Sequence, residues 1–420
     1  MPSGNLVAQE GQGYRFASTP EEIDLLAASA QTAAPTLDVG AIREREFPTA
    51  TRAPYLNAAA VAPLPERAVR AIEAFNRRRA SAHDLTGDDF EPTLARAREA
   101  AARLIGADAD EIALLPNTSY GINLAAHVLP LRPGQRLVVS DREFPANVYP
   151  WMQLARNAGV QLDLVPADEF GRPDEARILA ELERGDVGIF ALSSVQFASG
   201  YNAVLERFGS VCRDQGIFFV VDAIQSLGQM PVDVRAAHVD ILATGGHKWL
   251  CSPFGTGFAY VRRELVAQLE PRVVGWTAMA GTLDYSRLLD YRYEFWDTAR
   301  RFEVATLPFQ DIAGMTESLT LLHEVGPGNI RRHVLELLDP LVEWLRSTGA
   351  AEIVSDLRPE HRSGIFCFRP PEAERAFRAM GRAGVNCVLR EGAIRISPHL
   401  YNTDDDIAVV MDVLSHPETW

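Results

Sequence analysis

The sequence predicts an α/β protein: a large domain with a mostly parallel sheet flanked by helices, followed by a smaller α+β domain. Two observations carry this. Between about Tyr55 and Arg300, short apolar runs bounded by turn residues alternate with amphipathic helical stretches, the pattern of a parallel sheet with helices on both faces. After about Thr306 the rhythm changes to long helical stripes around two isolated strands. A chain of 420 residues has room for both domains.

Residues 1–54 are rich in Ala, Glu and Thr and poor in large apolar side chains, and are expected to form an arm that packs with the small domain. Within them Thr19-Pro20-Glu21-Glu22 reads as a helix start, with Ile23, Leu25 and Leu26 on the following turn. Residues 55–305 are expected to form the large domain. Its buried strands are Ile112–Leu115, Arg136–Ser140, Gly188–Ser193, Ile217–Asp222, Asp240–Thr244 and Gly257–Val261, each a short apolar run as expected of strands covered on both faces. Its helices are Glu66–Ala80, Thr93–Ile105, Ala146–Ala158 and Ala203–Asp214.

Residues 306–420 are expected to form the small domain. Ile330, Val334, Leu337, Leu338, Leu341 and Leu345 make one helical stripe. Strands Ile365–Phe368 and Ala393–Ser397 flank a helix near Glu372–Arg382. Asn402-Thr403-Asp404-Asp405-Asp406 is a capping signal, with acids where the helix dipole favours them. Ile407, Val410, Met411 and Leu414 follow at helical spacing.

Composition narrows the function. Hydrophobic residues are 47% and charged residues 23%, an ordinary globular balance. A formal charge of -15 argues against nucleic acid or an anionic membrane as partner, while leaving room for a local anion site. The cysteines Cys212, Cys251, Cys367 and Cys387 form no CxxC pair and no zinc spacing, which points to a reducing compartment without a disulfide framework or bound metal. The first sixteen residues lack a signal-peptide pattern, and no apolar run approaches the ~18 residues of a membrane span. A soluble cytoplasmic protein is expected.

The chemistry concentrates in Phe218-Phe219-Val220-Val221-Asp222-Ala223-Ile224-Gln225 and Gly245-Gly246-His247-Lys248-Trp249-Leu250. Asp222 ends one buried strand and Lys248 lies just past the next. Ligands of open α/β sheets bind beyond the carboxyl ends of strands, so both side chains can reach one crevice. One reading is a buried salt bridge. The other is a desolvated lysine acting on an aldehyde, with an acid opposite the nitrogen of a pyridine ring.

The run DAIQ…GGHKWL resembles the fold-type I pyridoxal phosphate enzymes, specifically aminotransferase class V, which includes cysteine desulfurases, isopenicillin N epimerases, kynureninases and hercynylcysteine sulfoxide lyases. The resemblance covers about residues 55–415 and implies an aspartate-aminotransferase-like fold with pyridoxal 5'-phosphate as cofactor. It implies that Lys248 is the Schiff-base lysine and proton shuttle, that Asp222 pairs with the pyridinium nitrogen, that Gln225 lies near the ring hydroxyl, and that His247 faces the phosphate or ring edge. Pro116-Asn117-Thr118-Ser119-Tyr120-Gly121-Ile122-Asn123 resembles the phosphate cup, with Thr118 and Ser119 at a helix N-terminus whose free N–H groups attract phosphate.

Ser140-Asp141-Arg142-Glu143-Phe144-Pro145-Ala146-Asn147 resembles the segment that stacks on the ring, here through Phe144. Gln196 in Ser193-Ser194-Val195-Gln196 resembles a residue beside the ring hydroxyl or substrate. Gly245 stands where many relatives carry a phosphate-binding serine, and Thr244 is taken to compensate, although strand alternation points it to the other face. Ala393-Ile394-Arg395-Ile396-Ser397-Pro398-His399 resembles the C-terminal motif whose arginine, Arg395, grips the substrate carboxylate. Asn57 joins it in the implied substrate set, while His399 does not. Arg301-Phe302-Glu303-Val304-Ala305-Thr306-Leu307-Pro308 resembles the segment that crosses a dimer interface, so Thr306 is expected at the partner's phosphate and the protein is expected to be a homodimer acting on a small amino-acid-like substrate.

One departure bears on the reaction. Only six residues separate Val388 from Arg395, too few for the cysteine-bearing loop of desulfurases, and Cys387 and Cys251 read as buried thiols. Persulfide-forming desulfurase chemistry is therefore not expected. β-Elimination or C–S lysis ranks first, epimerisation second and transamination third. From other classes, a non-catalytic scaffold with this fold conflicts with the intact Lys248, Asp222 and Arg395 set. A dinucleotide enzyme conflicts with Gly255-Thr256-Gly257, which precedes a strand rather than opening a helix.

Overall fold

The apolar runs in the middle of the chain assemble into one sheet. The computed structural model describes residues 38–81 and 83–420, and of the rest only the strands Leu6–Val7 and Arg15–Phe16. These two pair antiparallel, Leu6 opposite Phe16, within a unit formed by Met1–Asp38. The helix start at Thr19-Pro20-Glu21-Glu22, with Ile23, Leu25 and Leu26, lies outside the described residues.

The second unit, Val39–Trp420, holds everything that follows. Its larger sheet contains β1 (Ile112–Leu114), β2 (Arg136–Ser140), β3 (Gln161–Val165), β4 (Val187–Ser193), β5 (Phe218–Asp222), β6 (Ile241–Gly245) and β7 (Gly257–Val261). They lie in the order β1-β7-β6-β5-β4-β2-β3. β7 alone runs against the others, so the sheet is mostly parallel. The strands anticipated from apolar runs are buried along their length because helices cover both faces. The unanticipated edge strand β3, Gln161-Leu162-Asp163-Leu164-Val165, alternates and is half-exposed.

The helices that position the site are α1 (Val39–Glu46), α2 (Glu66–Ala80), α3 (Phe90–Ile105), α4 (Thr118–Val128) and α5 (Tyr149–Ala158). α3 follows a capping box of Thr86 and Asp89 and stops at Gly106, whose φ of 70° ends the helix. α4 and α5 cover one face of the sheet, where Ile122, Ala125 and Trp151 pack on Val139, Ala191, Val220 and Ala243 in one core. The expected helix 146–158 begins only at Tyr149, because Pro145–Asn147 form a 3-10 turn first.

α6 (Glu175–Leu182) joins β3 to β4 and α7 (Leu205–Gln215) joins β4 to β5, while α8 (Arg263–Val266), α9 (Phe309–Val325) and α10 (Pro327–Thr348) follow the last strand of the sheet. A second, antiparallel sheet has the order β8-β9-β11-β10, with β8 (Glu352–Ile353), β9 (Phe366–Arg369), β10 (Val388–Arg390) and β11 (Ala393–Ile396). α11 (Ala373–Arg382) packs beside it, and α12 (Asp404–Ser415) packs on α10 and α11. The anticipated cap of α12 is present as a box between Thr403 and Asp406. Arg43 of α1 donates to Asp406 and Thr403 at 2.9 Å each. Among the described residues no helix is long and apolar enough to cross a membrane.

Candidate active site

Asp222 ends β5, and Lys248 lies three residues beyond the parallel strand β6. Both open onto the same edge of the sheet; Asp222 is buried and Lys248 half-buried. Burial pushes the Asp222 carboxyl up, against the Ile224 N–H that donates to it at 3.0 Å; Glu143 adds to the rise and Lys248 opposes it. Burial pushes the Lys248 ammonium down; Asp222 holds against this, and Arg395 and Arg390 push the same way as burial. Nζ stands 5.5 Å from the centroid of the Phe144 ring. The neutral amine is the nucleophile. Acylation of Lys248 by an amine reagent, read by peptide mass mapping, should therefore rise with pH and level off below the ordinary lysine value. A rate still climbing at about pH 10 contradicts this.

The lysine loop is pinned from several sides. The Trp249 indole donates to Gln225 Oε1 at 2.8 Å, and Gln225 Nε2 donates to the Ala59 carbonyl at 3.1 Å. Gln225 was expected beside a ring hydroxyl; both its polar atoms instead serve to hold the loop. His399 does likewise: Leu400 N–H donates to Nδ1 at 2.7 Å, so the ring proton sits on Nε2, 2.9 Å from the Trp249 carbonyl. Burial keeps this imidazole neutral, down to about 4.

An anion cradle lies against the same loop. Asn117 caps α4 by accepting from Tyr120 N–H at 2.9 Å, and the first-turn N–H groups of Thr118 and Ser119 have no acceptor within the helix. A Cβ on Gly245 would sit 3.3 Å from Thr118 Oγ1 and 3.5 Å from His247 Nδ1, so these two polar atoms converge on one point. Thr118 Oγ1 is buried without a partner. The His247 ring stacks on Phe254 at 5.2 Å, and burial together with Lys248 pushes its imidazole down. Thr244 does not join them. Ala243 and Gly245 face α4, so the residue between them faces away, and its hydroxyl donates to the Gly245 carbonyl at 3.5 Å. Thr118 occupies the space beside Gly245 instead.

The cradle depends on how closely α4 seats on β6: a Cβ on Gly121 would lie 2.6 Å from Ala243 Cβ. Gly121→Val should lift the helix N-terminus off the sheet, costing about 1–3 kcal/mol by overpacking. Thermal unfolding and the affinity for pyridoxal phosphate measure it; unchanged affinity would contradict the placement.

Glu143 was not anticipated. It is fully buried and accepts from Ser193 N–H (2.8 Å), Asn147 Nδ2 (3.0 Å), Gln196 Nε2 (2.7 Å) and the Ser193 hydroxyl. Burial pushes its carboxyl up and the four donors pull it back. The knot fixes Gln196 with Oε1 buried and unpartnered. In the sequence Glu143 is one of three consecutive charged residues, Asp141-Arg142-Glu143, and nothing there singles it out as the buried one.

Phe197 links this side to Arg395. Its ring meets Phe144 edge-on at 5.3 Å, and its carbonyl accepts from Arg395 Nη1 at 2.7 Å. Arg395 is 2% exposed, its Nε has no partner, and among the described residues no carboxylate pairs with it. Burial pushes its guanidinium down to about 10. Asn57 bridges to Ser397, two residues past Arg395; it donates to Asn386 at 3.0 Å and leaves Oδ1 buried and unpartnered. Thr306 is exposed, some way past Glu303, which is anchored to Arg98 by a buried ion pair of 2.7 Å.

The aminotransferase class-V family model matches residues 54–410. The chain belongs to the aminotransferase class-V family. Similar proteins include a probable cysteine desulfurase of Methanothermobacter thermautotrophicus, 31% identical over 88% of this chain and 96% of that one. Isopenicillin N epimerase of Streptomyces clavuligerus is 28% identical over 86% and 93%. The solved apo cysteine desulfurase of Thermococcus onnurineus NA1 has a TM-score of 0.81 at 25% identity, covering 92% of this chain and 99% of that one.

The aminotransferase class-V cofactor is pyridoxal 5'-phosphate, and the residues fit it. A lysine with a depressed pKa, a buried acid, an anion cradle and a ring face surround unpartnered polar atoms on Thr118, Gln196, Asn57 and Arg395. The sequence carries a further signal: of the 41 lysine and arginine residues, Lys248 is the one lysine.

Proposed function

We propose that the protein is a pyridoxal-phosphate-dependent lyase that breaks a C–S bond, or another bond at Cβ, of an amino-acid-like substrate. The single lysine carries this reading. Arginine serves wherever a permanent cation suffices, but a guanidinium neither loses its proton at working pH nor adds to an aldehyde. The one position that keeps an amine is the half-buried one just beyond β6.

Bound in this site, the cofactor supplies an electron sink for the pair left on Cα. Lys248 Nζ binds the cofactor and then moves the Cα proton. Asp222 holds a proton on the ring nitrogen. Thr118, Ser119 and His247 bind the phosphate. Phe144 covers the ring with a flat apolar face and donates no proton. Gln196 Oε1 accepts from the ring hydroxyl or the substrate. Arg395, helped by Asn57, holds the carboxylate and so sets which Cα bond faces Lys248.

Elimination ranks above epimerisation because similar chains bear the name cysteine desulfurase, whose chemistry cleaves a C–S bond. We place this protein outside the persulfide-forming type. Its four cysteines are buried, burial pushes each thiol up, and Cys387 alternates with Val388, which shares the face of Arg395. Epimerisation is the second reading, favoured by the similarity to isopenicillin N epimerase.

We further propose residues 55–305 as the cofactor domain and 306–420 as the small domain of a cytoplasmic homodimer. Exposed Val273, Trp276, Tyr285, Leu289, Tyr291 and Tyr293 supply apolar surface for a second copy, and Thr306 then reaches the partner's phosphate.

The test is a visible spectrum followed by product assays. A band near roughly 410–430 nm marks a lysine-held cofactor. Pyruvate and ammonia, together with sulfide from cysteine or the matching thiol from an S-substituted cysteine, support the lyase. Cα–H exchange with inversion and no pyruvate supports the epimerase. A protein that stays colourless with added cofactor overturns the proposal.

A further inference from the structure

The roles above leave one cation at the site unused. β10 and β11 pair with Val388 opposite Arg395 and Arg390 opposite Ala393. Opposed residues of an antiparallel pair share a face, as do residues two apart, so Arg390 and Arg395 project from the same face on adjacent strands. Such diagonal neighbours have Cβ atoms roughly 7–8 Å apart. The turn between the strands is stiff: Glu391 and Gly392 both have positive φ, 46° and 75°, the two-residue turn that matches strand twist. Asn386, which accepts from Asn57, lies two residues before Val388 in the same extended run.

The two arginines differ in what surrounds them. Arg395 is buried, whereas Arg390 is exposed. The neighbouring Arg369 of β9 is neutralised by Glu352 at 2.8 Å. Among the described residues no acid pairs with Arg390. It is also close enough for its charge to be felt by Lys248 and Arg395.

We propose that the substrate carries a second carboxylate at the far end of its side chain, and that Arg390 binds it while Arg395 holds the α-carboxylate. For C–S lysis, the substrate class is a cysteine thioether whose sulfur substituent ends in a carboxylate. A rigid hairpin then measures the distance between two anions, and a neutral side chain leaves Arg390 without a partner.

The inference rests on the proposed function, and one experiment separates the two. Isothermal titration of the cofactor-loaded protein compares S-carboxymethyl-L-cysteine with its uncharged isostere S-carbamoylmethyl-L-cysteine. The acid should bind about tenfold more tightly, the worth of one charge-assisted contact. Arg390→Gln should erase that preference and leave the affinity for the amide unchanged, and raised salt should shrink it in the wild type. Equal affinities in the wild type, or a preference that survives Arg390→Gln, overturn the role of Arg390. Binding of neither compound, nor of L-cysteine or L-alanine, overturns the proposed function as well.

Discussion

Lys248→Ala is expected to lose the visible band of the bound cofactor and to lower turnover by up to about 10⁴-fold, the range of a missing acid–base group. Lys248→Arg should do the same. The guanidinium keeps a cation between Asp222 and Arg395, so a purely electrostatic role for Lys248 would be rescued by it. A nucleophilic and proton-moving role would not, because arginine stays protonated. The environment favours the second role. Burial lowers the ammonium pKa, with Arg395 and Arg390 acting alongside, and Asp222 only partly offsets this. Retained colour and activity in Lys248→Arg would refute the assignment.

Arg395→Leu should separate stability from function. The guanidinium is buried, no described carboxylate pairs with it, and Nε has no partner. Replacing buried charge with apolar volume is often neutral or stabilising by about 1–4 kcal/mol. The variant without substrate should therefore melt at or above the wild-type temperature. Its kcat/KM should fall by about 10²–10³-fold, that is about 3–4 kcal/mol, within the cost of losing a buried charge contact. A variant that melts lower and keeps its kcat/KM would make Arg395 a structural residue.

The large sheet was legible because buried parallel strands are continuous apolar runs; Arg136–Ser140 and Gly257–Val261 match the expected bounds. β3 escaped because Gln161 and Asp163 break the run at a sheet edge, where Asp163 serves instead as an ion-pair partner of Arg136. That Asp222 and Lys248 share one edge of the sheet was legible because each follows an apolar strand, and neighbouring parallel strands open on the same side. The contacts of Gln225 and Thr244 were not, since the sequence does not show which polar atoms the fold has already spent. Glu143 was missed for the converse reason, because three of its four donors come from Ser193 and Gln196, some fifty residues away along the chain.

Reductive fixation tests the central claim most directly. The protein is loaded with pyridoxal phosphate, treated with borohydride, digested and mapped by mass spectrometry. Because the chain has one lysine, the only competing amine is the α-amino group. The account predicts a stoichiometric pyridoxyl-phosphate label on the peptide containing Lys248, lost in Lys248→Arg. A label confined to the α-amino group, or an active enzyme with no label on Lys248, would contradict it.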